Sequence, residues 1–165
     1  MTQETYIFAS HLDLAQHIRK ESAGLLQARL SDSLDLEAQL KQAHWNVKGR
    51  DFFQLHELFD KLHGEIEDLT DTLAERITTI GGIADGRVQT TSAKTTLYEY
   101  PLQAKGGAAH LKAVAAALAE FGKHLRADID KAAAIGDADT ADVFTEVSRA
   151  VDKQLWFVEA HLVEE

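Results

Sequence analysis

The chain contains no cysteine. That excludes a disulfide framework, a thiolate metal site and a cysteine nucleophile. It contains a single proline. Together with many Ala, Leu, Glu, Gln and Asp residues, this favours long helices over a β-sandwich. No run approaches about 18 uninterrupted apolar residues, so no transmembrane helix is expected. Met1 to Ile18 lacks the basic start and apolar stretch of a signal peptide, and a cytoplasmic location is the expectation. Positive charge is in short supply: 17 Lys and Arg stand against 27 Asp and Glu, for a net charge of −10. Such a surface repels DNA phosphates unless basic groups are concentrated somewhere. It suits a protein that handles cations.

What is present is ordinary for a globular protein. Apolar residues make up 45% and charged residues 27% of the 165, which fits one domain over 1–165 with a short N-terminal tail at 1–9. There is no internal repeat, low-complexity tract or linker. Punctuation divides the chain into four long helices. The first is expected from Ser10 to Val47, with Ser10 as cap, Asp13 three residues on and Gly49 ending it. The second is expected from Phe52 to Ile80, capped by Asp51 and stopped by Gly81-Gly82. A long connection containing Pro101 follows, with room for a short helix over Arg87 to Lys94. The third helix spans Gly106 to Ile135 and ends at Gly136. Asp137 or Asp139 caps the fourth, which runs to Leu162. The fold class is all-α, a ferritin-like four-helix bundle with its long crossover between the second and third helices.

The second helix carries two faces at 100° per residue. Leu58, Leu62, Leu69, Leu73, Ile77 and Ile80 gather on the side expected to face the core. His56, Asp60, His63, Glu67, Asp71 and Glu75 fall in one stripe about 120° wide, and each can bind a cation. A solvated helix face is the bland alternative. His56 and Asp71 lie about 22 Å apart along a straight helix, whereas metal–ligand bonds are about 2 Å. They can share an ion only if two copies of the helix lie antiparallel across a two-fold axis near Glu65 and Ile66. Mixed imidazole and carboxylate donors suit Fe(II), Mn(II) or Zn(II) better than calcium.

Longer motifs add a resemblance. The run from Gln42 through His44-Trp45-Asn46 to Gly49, then Leu55-His56-Glu57-Leu58-Phe59-Asp60, Asp71-Thr72-Leu73-Ala74-Glu75-Arg76 and Gly81-Gly82, closely resembles the Dps family of ferritin-like mini-ferritins (DNA-binding proteins from starved cells). Lys94-Thr95, Tyr100-Pro101, Asp139-Thr140-Ala141-Asp142, Ser148-Arg149 and the stretch from Asp152 to His161 agree with it. The resemblance implies an oxidation centre shared by two-fold-related subunits. His44, His56 and Asp60 would come from one chain and Asp71 and Glu75 from its partner. It also implies a short helix in the long connection, a hollow homododecamer with an iron core, and a ferroxidase that turns Fe(II) into Fe(III) with hydrogen peroxide in preference to dioxygen, protecting against oxidative stress.

Other residues keep two readings. His63, and more weakly Glu67, bind a second metal or are solvated interface groups. Trp45 exchanges an electron beside His44 or simply packs. Asp137, Asp139 and Asp142 line an iron-entry pore, as acidic residues near this position do in relatives, or cap a helix. His11, His17, His110, His124 and His161 read as surface or packing histidines, and Trp156 as a core residue. Two rival functions remain: a DNA-binding nucleoid protein, and a metal-buffering cage with zinc at the same ligands. Met1 to Ile18 holds no Lys or Arg, and none follows Lys153, so weak or no DNA binding is expected at physiological salt.

Overall fold

The computed structural model describes residues 6–163. Five helices follow in order: α1 (Gln16–Asn46), α2 (Phe52–Thr79), α3 (Val88–Lys94), α4 (Gly106–Ala134) and α5 (Ala138–Glu159). Among the described residues there is no strand. Short connections make α1–α2 and α4–α5 antiparallel hairpins. The connection after α2 carries α3 and returns along the bundle. Its far end, with Lys105 and Gly106, lines one cavity with Asn46 and Lys48 at the end of α1.

The helix stops follow from glycine. After α2, the Gly82 amide donates to the Ile77 carbonyl and the Gly81 amide to the Thr78 carbonyl. Gly81 takes φ +88°, the left-handed turn of a Schellman motif. A Cβ there would lie 2.9 Å from the Arg19 guanidinium and 2.9 Å from the Phe8 carbonyl. Gly136 ends α4 in the same way.

The start of α1 differs from expectation. The helix begins at Gln16, and Ala15 caps it without a side-chain bond. The Ser10 hydroxyl instead accepts from the Leu12 amide in a local turn. The segment before α1 is strapped to the end of α2. The Phe8 amide donates to the Gly81 carbonyl at 2.8 Å, and the buried Arg19 donates to the carbonyls of Phe8, Leu14 and Ile80. These contacts occupy backbone that a longer helix would withdraw. Asp51 holds the position before α2 but makes no side-chain cap, and α5 ends at Glu159 rather than Leu162.

The core face of α2 is Leu55, Phe59, Leu62, Ile66, Thr70, Leu73 and Ile77. It is centred a few tens of degrees from the expected face, so Leu58 and Leu69 flank it, half-buried. Phe59, Phe121 and Phe144 are fully buried, each gaining roughly 2 kcal/mol from leaving water. Trp156 is 63% exposed, against the expectation of a core residue. It packs beside Phe157 on the outer side of α5.

Candidate metal centre

α1 and α2 bring His44 and His56 face to face. Their rings stack with centroids 3.7 Å apart and planes at 20°. The pairing is reciprocal. His44 Nδ1 lies 2.8 Å from the His56 carbonyl oxygen, and His56 Nδ1 lies 2.9 Å from the His44 carbonyl oxygen. A carbonyl only accepts, so each Nδ1 donates. In a neutral ring the lone pair then resides on Nε2. The same bond fixes the ring plane and makes the imidazole a better ligand. The sequence does not reveal these two carbonyls, because they belong to the histidines themselves.

Asp60 stands one turn beyond His56. Its carboxylate accepts a short hydrogen bond from Lys41 Nζ, and Oδ1 is 4.0 Å from His44 Nδ1. The Lys41 hydrogen bond, with further help from the charge of Lys41 and the nearby histidines, holds the Asp60 carboxyl below its ordinary range. Lys41 is the residue that sequence reasoning missed. It sits one turn before His44, but nothing in its spacing marks it as a partner of Asp60.

Asp71 and Glu75 are exposed, one turn apart, on the far half of α2. Among the described residues, no three histidine or acidic side chains of one chain are grouped to hold a metal ion. The expected ligands divide into the stacked His44–His56 pair, with Asp60 at the Nδ1 edge of His44, and a second group, Asp71 with Glu75, apart from it.

Between the groups lie His63, half-buried, and Glu67, exposed. Glu37 of α1 reaches the same place. Burial pushes its carboxyl up, against the lowering effects of the Thr70 hydroxyl and of His63. Trp45 is 68% exposed and turns outward.

At the other end of α2, Asp137 is the cap of α5 and accepts from the Thr140 amide at 3.0 Å. It also pairs with Arg76 at 2.8 Å. Burial raises its carboxyl, but the nearby hydroxyls of Ser22 and Thr140, the Thr140 amide and Arg76 outweigh it, leaving a net lowering. Its carboxylate is thus spent inside the fold. Asp139 does not cap the helix. Asp139 and Asp142 are exposed, so any pore role rests on them.

A family model for the ferritin-like domain matches residues 23–165. The DNA protection during starvation protein of Agrobacterium fabrum is 40% identical over 152 residues, covering 92% of this chain and 94% of that protein. The chain belongs to the Dps family of ferritin-like proteins. A Dps relative from Brevibacillus brevis is 31% identical and covers 88% of this chain and 97% of its own length. Among solved Dps structures, DpsC from Streptomyces coelicolor superposes with TM-score 0.91 at 31% identity, covering 96% of this chain and 93% of that one. The Dps of Microbacterium arborescens in its high iron form superposes with TM-score 0.84 at 34% identity, covering 91% and 97%. The Dps fold accounts for the all-α class and the α3 insertion. Among the described residues, no helix is long and apolar enough to cross a membrane.

Proposed function

We propose that this protein is a ferroxidase and iron store. It oxidises Fe(II), with hydrogen peroxide as the oxidant, at centres shared by two-fold-related copies, and holds the ferric product inside a hollow homododecamer. The observation that carries this reading is the reciprocal His44–His56 arrangement. It leaves two Nε2 lone pairs anchored at fixed orientation, with the Asp60 carboxylate 4.0 Å from the Nδ1 edge of His44. The ferritin-like family membership supports iron as the substrate.

The chain's residues bind and orient; the electrons come from iron. His44 and His56 hold Fe(II) through Nε2. Asp71 and Glu75 of a second copy supply negative charge, because one chain cannot bring both groups to one ion. Asp60 joins after release from Lys41. Two Fe(II) ions give two electrons to one peroxide, whose O–O bond takes them with two protons to form two waters. No hydroxyl radical is released. Oxygen and imidazole donors also accept Zn(II), which would then act as a competitor.

Anaerobic Fe(II) loading followed by a peroxide pulse tests this. Ferric absorbance should rise fast in the wild type and lose most of its rate in His56→Ala combined with Asp71→Ala, and added zinc should slow it. Equal rates in wild type and variant would leave the stripe as a solvated face. The net charge of −10 disfavours DNA as the principal partner.

A further inference from the structure

Across α1 from the proposed centre lies a second pair of chemically capable groups. The Tyr100 hydroxyl and His110 Nδ1 are 2.5 Å apart, with ring planes at 27° and centroids 6.1 Å apart. Both side chains are buried, Tyr100 at 9% and His110 at 1% exposure. The pair joins the long connection to the second turn of α4. Tyr6 and Tyr98, by contrast, are mostly exposed.

Burial pushes the Tyr100 phenol up to about 12, and burial also lowers the His110 imidazole. The pair therefore rests as neutral phenol and neutral imidazole, with Tyr100 donating to Nδ1. A phenol that loses one electron becomes a strong acid, so its oxidation is easy only when its proton leaves at the same time. Here the acceptor nitrogen is already in hydrogen-bond contact and shielded from water.

The surroundings favour the product. His110 Nε2 has no hydrogen-bond partner within good geometry among the described residues. The Asn46 backbone carbonyl nevertheless lies near enough to favour a proton on the ring. Asn46 is the last residue of α1, whose unsatisfied carbonyls form the negative end of a helix dipole. His44 lies two residues earlier in that turn. Gln42 and Asn46 line one cavity of about 350 Å³ with Tyr100 and His110, while His44 faces α2. The last turns of α1 thus carry the lining of the Tyr100–His110 cavity on one side and His44 of the stack on another.

We propose that Tyr100 and His110 form a one-electron reserve that serves the centre when a single Fe(II) meets peroxide. The inference rests on the ferroxidase reading. One Fe(II) gives one electron and Tyr100 gives the second. The phenolic proton passes to His110 Nδ1. The peroxide O–O bond takes both electrons and two solvent protons and leaves as two waters. The products are Fe(III), a buried tyrosyl radical and protonated His110; a further Fe(II) returns the electron.

The test is freeze-quench electron paramagnetic resonance on the assembled protein, loaded with less Fe(II) than would fill its centres and pulsed with peroxide. A tyrosyl signal is expected, and its hyperfine pattern should change in protein made with ring-deuterated tyrosine. Tyr100→Phe should lose that signal yet keep ferric formation at full loading. His110→Asn should also lose most of it although the tyrosine remains, which a purely structural hydrogen bond would not explain. A parallel arm oxidises the iron-free protein with azide radicals from pulse radiolysis. An undiminished signal in folded Tyr100→Phe, or no tyrosyl signal in the wild type in either arm, overturns the proposal. A Tyr100 radical in the azide arm alone also overturns the reserve role. If ferric formation is then absent too, the fault lies in the ferroxidase reading; if ferric formation is normal, it lies in the link to Tyr100.

Discussion

Lys41 sets the state in which Asp60 waits. An ammonium on a carboxylate keeps it charged to lower pH, and it also competes with any cation for the same oxygens. Replacing Lys41 by Met removes both effects. Asp60 then rises toward its ordinary pKa, so the acid limb of Fe(II) uptake moves to higher pH. Near neutrality Asp60 stays ionised either way, and affinity should rise by about threefold, the scale of a half-exposed ion pair. Anaerobic calorimetry of Fe(II) binding across pH checks both directions. Unchanged affinity at neutral pH would mean that Asp60 does not reach the ion. The same neighbourhood marks what was legible in the sequence. Spacing put His56 and Asp60 on one face of α2, and His44 on α1 came to them only through the family motif; the structure stacks it on His56. Lys41 and Glu37 had no such motif, and only the packing of α1 on α2 brings them to the stripe.

At the scale of elements, the junction of α2 and α5 depends on Asp137. It caps α5 and neutralises Arg76, which is 14% exposed. A carboxyl held below its ordinary range contributes stability that is full above the unfolded value, about 3.9, and is lost as pH falls through the folded one. Asp137→Asn keeps a competent cap but strands the guanidinium. It should cost about 3 kcal/mol at neutral pH, and the gap to wild type should close on acidification below about pH 4. Thermal melts from pH 3 to 7 would show it; a constant gap would mean that the ion pair contributes nothing. Helix ends were readable where glycine made them, as at Gly81 and Gly136. The start of α1 was not. Ser10 and Asp13 have the composition of a cap, and the competing strap between Phe8, Arg19 and the end of α2 is non-local. Asp137 rather than Asp139 caps α5 for a similar reason: Arg76, 61 residues away in sequence, draws it inward.

The whole molecule raises the question of assembly. Within one straight helix, His56 and Asp71 are about 22 Å apart, so the proposed centre needs two chains. That can be tested without a structure of the oligomer. His56→Ala and Asp71→Ala should each be inactive as pure proteins. Co-expressed in equal amounts, half of the two-fold pairs are mixed, and each mixed pair rebuilds one intact centre and one doubly damaged one. About a quarter of wild-type ferroxidation should return, read as initial ferric absorbance. No recovery in a confirmed mixture would place all the ligands of a centre in one chain.

In the proposed centre, dividing the ligands between the two halves of α2 has a further consequence for timing. A newly made chain would meet ferrous ions without turning them over, since it would own only part of each binding place. Chemistry would begin when a partner docks, the same event that would start to wall off a space for the product. Dilution would then act as an off switch, and a lesion that separates two chains would silence two centres at once. A single chain adrift would be left harmless rather than half-armed.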